Sequence, residues 1–365
     1  MFLAFLLIPA FLLINLNTFS NAFYINKSII KNMYNKHNFL KINCLSNKKS
    51  KKNNFIPTKN IFKKEEQKKF RVTLQNKSKS FLKLIRYQNI APTILLSFVG
   101  GWLMKPSLYN LFTNPHFIGA SVNTLLIMSS SMIINDIYDL NIDKINNPNR
   151  PLVTGEIKII EAYLFTFMLL GLSQYINITF LTESLQIITN LATIQILIYS
   201  PILKCILFIK NISCASLVSF AIFFAGLSAT NQQIVINNNF GIFSLVLTFI
   251  FLGSLYNEIL LDISDYEGDK INNIKTIPVV FGKQNAWYIT HFLLGFNILM
   301  NTMALMSLYN IYIGSTFFIV SSPLLFRSMK IKQENLSNKS IKNAVSKTNI
   351  QLFIILLYFC FLIYI

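Results

Sequence analysis

Acidic residues are scarce in this chain, which has 14 Asp and Glu against 33 Lys and Arg in 365 residues and a net charge of +19. Such an excess is usual in nucleic-acid-binding proteins when basic residues cover the folded part. Here 18 of the basic residues lie in 23–86 beside two acidic ones, whereas 87–365 holds 15 basic and 12 acidic residues. The excess therefore belongs to an N-terminal leader, and we expect no nucleic-acid partner.

Cysteine and histidine are also few. The four cysteines form no CxxC pair and have no histidine at metal-ligand spacing, so we interpret them as small apolar packing residues. The chain has three histidines, and we find no catalytic triad of Ser, His and Asp, no nucleotide-binding loop and no haem-attachment motif. These absences exclude the common soluble hydrolase and nucleotide-binding classes.

Apolar residues, in contrast, are abundant, at 53% of the chain with a mean hydropathy of +0.49. A soluble domain of this size needs more polar surface, so the composition indicates a lipid bilayer as a partner. Beyond residue 87 the chain consists of apolar stretches of membrane-spanning length separated by short polar segments. We predict an all-α integral membrane fold with nine transmembrane helices, at 88–104, 116–136, 159–178, 185–203, 211–230, 240–261, 285–307, 311–327 and 348–365.

The basic residues support this count. Of the 15 that follow Arg86, 14 lie in the connections after the second, fourth, sixth and eighth spans, and only Lys105 lies elsewhere. Membrane proteins keep basic connections on one side of the bilayer. The pattern predicts that the N-terminal segment and the even-numbered connections share one face.

The composition of the N-terminus predicts two targeting segments before the membrane domain. An apolar run followed by Ser20-Asn21-Ala22 predicts a signal peptide over 1–22, with a retained signal anchor as the alternative because no basic residue precedes the run. Residues 23–80 are basic and poor in acids, which predicts a disordered, transit-like leader; the membrane domain is then 81–365. This arrangement resembles the leaders of plastids reached through the secretory route, so we expect an apicoplast-like membrane, with the mitochondrial inner membrane as the alternative.

Two clusters of aspartates mark the ends of the second and sixth spans, on the basic face. Each has the spacing i, i+3, i+7, which predicts three carboxylates on one side of a helix. The clusters are Asp136, Asp139 and Asp143, and Asp262, Asp265 and Asp269. Carboxylates this close repel one another unless they are neutralised, and hard oxygen ligands suit Mg²⁺ that also contacts a phosphate. Two facing clusters therefore predict a diphosphate site bridged by Mg²⁺.

The motifs around these aspartates resemble those of the UbiA prenyltransferase superfamily, closest to its chlorophyll synthase and digeranylgeranylglyceryl phosphate synthase branch. The matching segments are Asn135-Asp136-x-x-Asp139-x-x-x-Asp143 with Asn146-x-Pro148-x-Arg150-Pro151, then Tyr199-Ser200-Pro201-x-x-Lys204, and Asp262-x-x-Asp265-x-x-Gly268-Asp269. In the segment that ends at Lys204, the next residue is Cys205, where several family branches carry a second basic residue.

The resemblance implies a prenyl diphosphate donor (geranylgeranyl, phytyl or polyprenyl), Mg²⁺ as cofactor and a set of site residues. The implied metal ligands are Asn135, Asp139, Asp265 and Asp269. The implied catalytic residues are Asp136, Asp143, Asp262, Lys204 and Arg150. The implied substrate contacts are Arg150, Lys204, Lys270, Asn146, Tyr138 and Tyr199.

We therefore predict a Mg²⁺-dependent membrane prenyltransferase that acts on a lipophilic or aromatic acceptor. The alternative is a multi-span transporter of a small anionic or lipophilic solute. A transporter predicts charged residues near the bilayer midplane at broken helices. The aspartates here gather at helix ends on one face, which favours the enzyme.

The leader generates a testable prediction. Fused to a fluorescent protein, residues 1–90 should deliver it to a plastid-like organelle, because the signal peptide opens the secretory route and the basic segment directs import. The same fusion without residues 1–22 should stay outside the secretory route, as microscopy with organelle markers will report. Delivery of the intact leader to mitochondria would contradict the plastid prediction.

Overall fold

The computed structural model describes residues 77–230 and 239–365, which lie in one compact unit, Gln67–Ile365. Every regular element in this part of the chain is a helix. The predicted signal peptide and nearly all of the predicted leader fall outside the described residues.

Nine helices of 15 residues or more occur in the described ranges, close to the predicted spans. They are α1 (Ile90–Met104), α2 (Pro115–Tyr138), α3 (Ile159–Phe180), α4 (Glu183–Tyr199), α5 (Ile209–Ala229), α6 (Asn239–Ser264), α7 (Lys283–Leu308), α8 (Ile311–Gln333) and α9 (Asn338–Phe361). Shorter helical turns lie between them, at Tyr87–Asn89, Leu108–Thr113, Leu140–Asn146, Leu203–Cys205, Tyr266–Ile271 and Ile277–Phe281, and Leu362–Tyr364 follows α9.

Seven of these helices, α2, α3 and α5 to α9, are long and apolar enough to cross a membrane. The other two, α1 and α4, have 15 and 17 residues, fewer than the roughly 20 that a bilayer core usually requires. The chain is thus an integral, multi-pass membrane protein.

The folded part begins before the predicted boundary at residue 81. Residues 77–84 are helical, Leu84 is fully buried, and the Lys77 ammonium lies 2.6 Å from the Glu161 carboxylate at the start of α3. Ser80 is buried as well and donates a hydrogen bond to Glu156. The last residues assigned to the leader are therefore part of the membrane domain, where Lys77 and Ser80 contact acidic residues of that domain.

Both aspartate clusters sit where a long helix breaks into a short one. Asp139 joins α2 to Leu140–Asn146 with φ −86° and ψ 5°, and Asp265 joins α6 to Tyr266–Ile271 with φ −93° and ψ 6°. These ψ values are far from the helical value near −42°. The prediction of one continuous helical face for each triplet is therefore wrong in detail, because the middle aspartate of each cluster occupies the break.

Small residues let α1 and α5 pack closely in the centre of the bundle. A Cβ atom on Gly100 of α1 would overlap the backbone carbonyl of Ile222 on α5, and a Cβ atom on Gly226 of α5 would lie 3.0 Å from the backbone oxygen of Gly100. Helices in membranes associate through such close backbone approaches because burial of apolar surface gives little drive in lipid. The α1–α5 contact places both helices beside the cavity described below.

Replacing Gly100 should therefore destabilise the fold. In Gly100→Ala the new methyl group collides with a backbone atom that cannot rotate away, so we expect a loss of about 1–3 kcal/mol in the free energy of unfolding. The measurement is the thermal midpoint of the detergent-solubilised protein.

The matched control is Gly171→Ala in α3, where nothing lies within 4 Å of the added carbon. It should be neutral or slightly stabilising, because alanine favours a helix over glycine. Equal midpoints for the two variants would contradict the close packing of α1 on α5.

Candidate active site

Three of the even-numbered connections meet at one end of the bundle. The Lys204 ammonium, after α4, pairs with the Asp139 carboxylate after α2. The side-chain amide of Asn146 donates to the backbone oxygen of Asp265, after α6, across 3.2 Å. These contacts bring the two aspartate clusters together, as their predicted location on one face requires.

A cavity opens between the clusters and runs into the bundle, with about 310 Å³ of space accessible to water-sized molecules. Ten of the predicted site residues line it. Those of the first cluster and its downstream segment are Asn135, Asp139, Asp143, Asn146 and Arg150; the others are Tyr199, Lys204, Asp262, Asp265 and Asp269. Apolar side chains from α1, α2, α4 and α5 form the inner walls. The cavity thus has a charged mouth and an apolar interior.

The first aspartate of the α2 cluster belongs to a network of two arginines. Asp136 Oδ1 accepts hydrogen bonds from Arg86, at 2.8 Å, and from Arg150, at 2.6 Å, and Arg150 also contacts Asp143. Asp136 is buried and does not line the cavity, whereas both arginines do. Buried carboxylates are tolerated when they are paired in this way. Asp136 thus holds two guanidinium groups at the cavity wall.

The middle aspartate has different partners. Asp139 Oδ2 accepts a hydrogen bond from the Asn135 side-chain amide at 2.8 Å and pairs with Lys204. Because Asn135 precedes Asp139 by four residues, one helical turn brings their side chains together. Both residues face the cavity, with a lysine as the present counter-charge.

On the α6 side, Asp262 pairs with Lys210 and accepts a hydrogen bond from the Asn211 amide at 2.8 Å, both from the start of α5. Among the described residues, the buried Oδ2 atom of Asp269 has no hydrogen-bond partner. Burial raises the pKa of Asp269 to about 6, although Lys210 partly opposes the shift. An unpartnered carboxylate oxygen facing a cavity is the kind of atom that a cation would satisfy.

Burial also raises the pKa of Asp143 to about 6, against the opposing charge of Arg150. The pKa of Asp265 is raised for the same reason, with Lys210 and Lys342 acting against the shift. The charged forms of these carboxylates are thus incompletely compensated by the protein. A divalent cation would favour those charged forms.

The donor set fits Mg²⁺ bound from two sides. Within the described ranges no three His, Cys, Asp or Glu side chains are already close enough to form a metal cluster. Mg²⁺, however, usually takes only one or two protein carboxylates and fills its octahedral shell with water and substrate phosphate. Asn135 with Asp139 on one side, and Asp265 with Asp269 on the other, offer such small sets of hard oxygen ligands.

Asn146 links the clusters. Besides its bond to the Asp265 carbonyl, its side-chain amide lies directly against Gly268, where any larger residue would overlap it. The predicted substrate contact by Asn146 stays a prediction. In the structure, Asn146 connects the two short helices that follow α2 and α6.

Two predicted substrate contacts lie away from the cavity. Tyr138 is 55% exposed, and Lys270 is exposed with its ammonium 5.6 Å from the ring of Tyr266. Neither lines the cavity.

Arg86 and Lys210 line the cavity, although sequence reasoning did not select them as site residues. Arg86 is counted with the many basic residues of 23–86, although it lies inside the predicted membrane domain 81–365. Lys210 was treated only as a charge that sets orientation. The signal available for Lys210 was its position at the first turn of a span that faces the second cluster.

The sequence pattern of the UbiA prenyltransferase family matches residues 92–357 of the chain. Digeranylgeranylglyceryl phosphate synthase of Methanococcus maripaludis is 29% identical over 239 residues, covering 64% of this chain and 80% of that protein. The enzyme of the same name from Saccharolobus solfataricus is 30% identical over 220 residues, covering 59% and 73%. The chain belongs to the UbiA prenyltransferase family, and it is a prenyltransferase of the digeranylgeranylglyceryl phosphate synthase branch.

Solved structures show the same fold. A UbiA homologue from Archaeoglobus fulgidus bound to GPP and Mg²⁺ superposes with a TM-score of 0.57 at 23% identity, covering 78% of this chain and all of that one. A UbiA homologue from Aeropyrum pernix superposes with a TM-score of 0.59 at 15% identity, covering 76% and 98%.

Proposed function

We propose that the chain transfers a prenyl group from a prenyl diphosphate to a lipophilic acceptor, with Mg²⁺ holding the diphosphate between the two aspartate clusters. The observation that carries this proposal is the cavity itself, in which carboxylates from α2 and α6 face each other at the mouth while the inner walls are apolar. An isoprenoid diphosphate has the same division into a charged head and an apolar tail.

Asn135 and Asp139 would hold Mg²⁺ from the α2 side, and Asp265 and Asp269 from the α6 side. The bound Mg²⁺ would neutralise the charge that develops on the leaving pyrophosphate. The unpartnered Oδ2 of Asp269 supports this assignment. Support also comes from the Archaeoglobus fulgidus homologue, which was solved with GPP and Mg²⁺ bound.

The basic residues at the mouth would bind the diphosphate oxygens. Arg86 and Arg150 are fixed by Asp136, and Lys204 lies on Asp139, so all three line the cavity beside the proposed metal ligands. Arginine suits phosphate because its planar fork can make two parallel hydrogen bonds. We assign the diphosphate head to this end of the cavity and the prenyl chain to the apolar end.

For the acceptor we propose a glyceryl phosphate lipid or a related lipid with a free hydroxyl group. The relatives are named for the synthesis of digeranylgeranylglyceryl phosphate, in which prenyl chains are carried by glyceryl oxygens. Aromatic acceptors stay a second possibility within the family resemblance. Incubation of the purified protein with labelled geranylgeranyl diphosphate, Mg²⁺ and a panel of both acceptor types tests the assignment.

We further propose that α1 and α4 cross the membrane as well, which gives nine spans. Both lie inside the bundle, α1 against α5 and α4 against α2 and α5, and the turn Tyr87–Asn89 lengthens α1 at its start. With nine spans, the connections that carry the aspartates share one face.

Cysteine labelling in sealed vesicles tests the topology. Cysteines introduced at Asn146 and Asn272, which follow α2 and α6, should react from the same side with a reagent that cannot cross the membrane. A cysteine at Asn237, between the fifth and sixth predicted spans, should react only from the other side, because one span separates the connections. Labelling of all three positions from one side would contradict the nine-span arrangement.

We place the protein in a plastid membrane reached through the secretory route. The support for this location is the composition of residues 1–80 alone, an apolar run followed by a basic segment poor in acids. The leader fusion described above tests it.

Removing one carboxylate from either cluster should cripple turnover. Asp139→Ala and Asp269→Ala should each lower the rate of prenyl transfer at least ~10²-fold, the size of loss seen when another stabiliser of transition-state charge is removed. The double variant should be little slower than either, because residues that act as one unit are not additive. EDTA should abolish the activity, and added Mg²⁺ should restore it.

The matched control is Glu267→Ala, which lies in the same short helix as Asp269 but is exposed and pairs with Lys283. It should keep the wild-type rate. Each variant must first match the wild-type thermal midpoint in detergent. Near-normal transfer by Asp269→Ala would overturn the two-cluster site.

A further inference from the structure

A second polar group lies deeper in the cavity than the aspartate clusters, and it rests on three helices. Glu258 on α6, Cys214 on α5 and Tyr199 at the end of α4 all line the cavity. The Cys214 thiol lies between the Tyr199 hydroxyl and the Glu258 carboxylate and interacts with both. Tyr199 is one of the predicted substrate contacts, whereas none of the roles proposed so far for the diphosphate or for Mg²⁺ uses Glu258 or Cys214.

Its depth follows from the helices. Glu258 precedes Asp262 by four residues in a helix that ends at the cavity mouth, and Cys214 follows Lys210 by four residues in a helix that begins there. Four residues of helix span about 6 Å. Glu258 and Cys214 therefore lie one turn further into the bundle than the Asp262–Lys210 pair, at the border between the charged mouth and the apolar walls.

The six aspartates near the cavity either form ion pairs or are proposed metal ligands. Asp136 and Asp143 contact Arg150, Asp139 contacts Lys204, and Asp262 contacts Lys210. Asp265 and Asp269 are the proposed Mg²⁺ ligands on the α6 side. None of the ion pairs found in the described part of the chain includes Glu258, and the Cys214 thiol lies beside its carboxylate.

This position matches the reacting end of the donor. With the diphosphate at the mouth, carbon C1 of the prenyl group lies one step further in, where the acceptor must approach. A hydroxyl acceptor has to lose its proton as its oxygen attacks, and the apolar walls next to this position offer no group that can take it. A carboxylate at this depth can, because a general base must reach the proton it removes.

We propose that Glu258 is the general base that accepts the hydroxyl proton of the acceptor, and that Cys214 and Tyr199 fix the orientation of its carboxylate. This inference rests on the proposed prenyl transfer. In the step, the acceptor oxygen forms a bond to C1, the bond between C1 and the diphosphate oxygen breaks with its electron pair going to pyrophosphate, and the proton passes to Glu258. Charge and atoms balance without another reactant.

The first test separates ether formation from binding of the prenyl diphosphate. Glu258→Gln keeps the shape of the side chain but cannot take a proton, so ether formation with an alcohol acceptor should fall about 10²–10⁴-fold, the range that general bases contribute. Mg²⁺-dependent binding of a prenyl diphosphate analogue that cannot ionise should stay within about twofold of wild type, since the diphosphate contacts are untouched. The ratio of the two readouts does not depend on the folded fraction, because unfolded protein contributes to neither.

The matched control is Glu267→Gln, an exposed glutamate at the same end of the bundle, which should leave both readouts unchanged. Wild-type rates of ether formation by Glu258→Gln would overturn the inference. So would a parallel loss of analogue binding and ether formation, because it would assign Glu258 to the diphosphate site. Absence of Mg²⁺-dependent pyrophosphate release by the wild-type protein would instead overturn the proposed function.

A second test varies the acidity of the acceptor. A phenolic acceptor gives up its proton more readily than an alcohol, so the loss caused by Glu258→Gln should be at least tenfold smaller with the phenol. The pH profile of wild-type transfer should show a group that must be deprotonated, and the variant should lose that limb. The charged and titratable groups that face Glu258 are Tyr199 on α4, Lys210 and Cys214 on α5, Asp262 on α6, and Arg86.

Cys214→Ala is a useful comparison for the pH profile, because it keeps the Glu258 carboxylate and removes the thiol beside it. An equal loss with both acceptors and an unchanged pH profile in Glu258→Gln would assign Glu258 a purely structural role and overturn the inference.

Discussion

The need to neutralise buried carboxylates at one end of a membrane bundle governs the structure of this protein. A charge in or near a bilayer is costly unless a partner compensates it. Asp136 takes two arginines, Asp139 takes Lys204, and Asp262 takes Lys210. Each partner comes from a different connection or helix start. The ion pairs therefore fasten the ends of the helices to one another while they satisfy the aspartates.

The same pairing shapes the cavity. The cations face inward to reach the aspartates, so the mouth of the cavity carries both signs of charge. Apolar side chains line the inner walls. A ligand with an anionic head and an apolar tail satisfies both regions. Among the described residues no group forms a hydrogen bond with the Oδ2 atom of Asp269. A bound cation would neutralise the charge of this carboxylate.

The sequence predicted the helical membrane fold and the two clusters because both depend on local pattern. Apolar length reports a span, and the spacing of aspartates reports their helical neighbourhood. Spacing alone could not separate Asp136 from Asp139; the family resemblance implied different roles for them, and in the structure the approach of Arg86 and Arg150 distinguishes Asp136. In the same way Lys270 and Lys210 both flank a cluster in sequence. The helix break at Asp265 is followed by a short helix on which Lys270 is exposed, whereas Lys210, in the first turn of α5, lines the cavity.

Charge neutralisation also distinguishes two roles for carboxylates in this cavity, one at the diphosphate end and one in accepting a proton. A carboxylate held by a strong cation is a poor proton acceptor, because the cation stabilises its charged form. Around this cavity the ion-paired aspartates cluster at the mouth, whereas Glu258, which forms no ion pair within the described residues, lies one turn deeper beside the Cys214 thiol. The pairing that organises the diphosphate end thus leaves Glu258 chemically different from the aspartates near it, at the depth where the prenyl carbon would react.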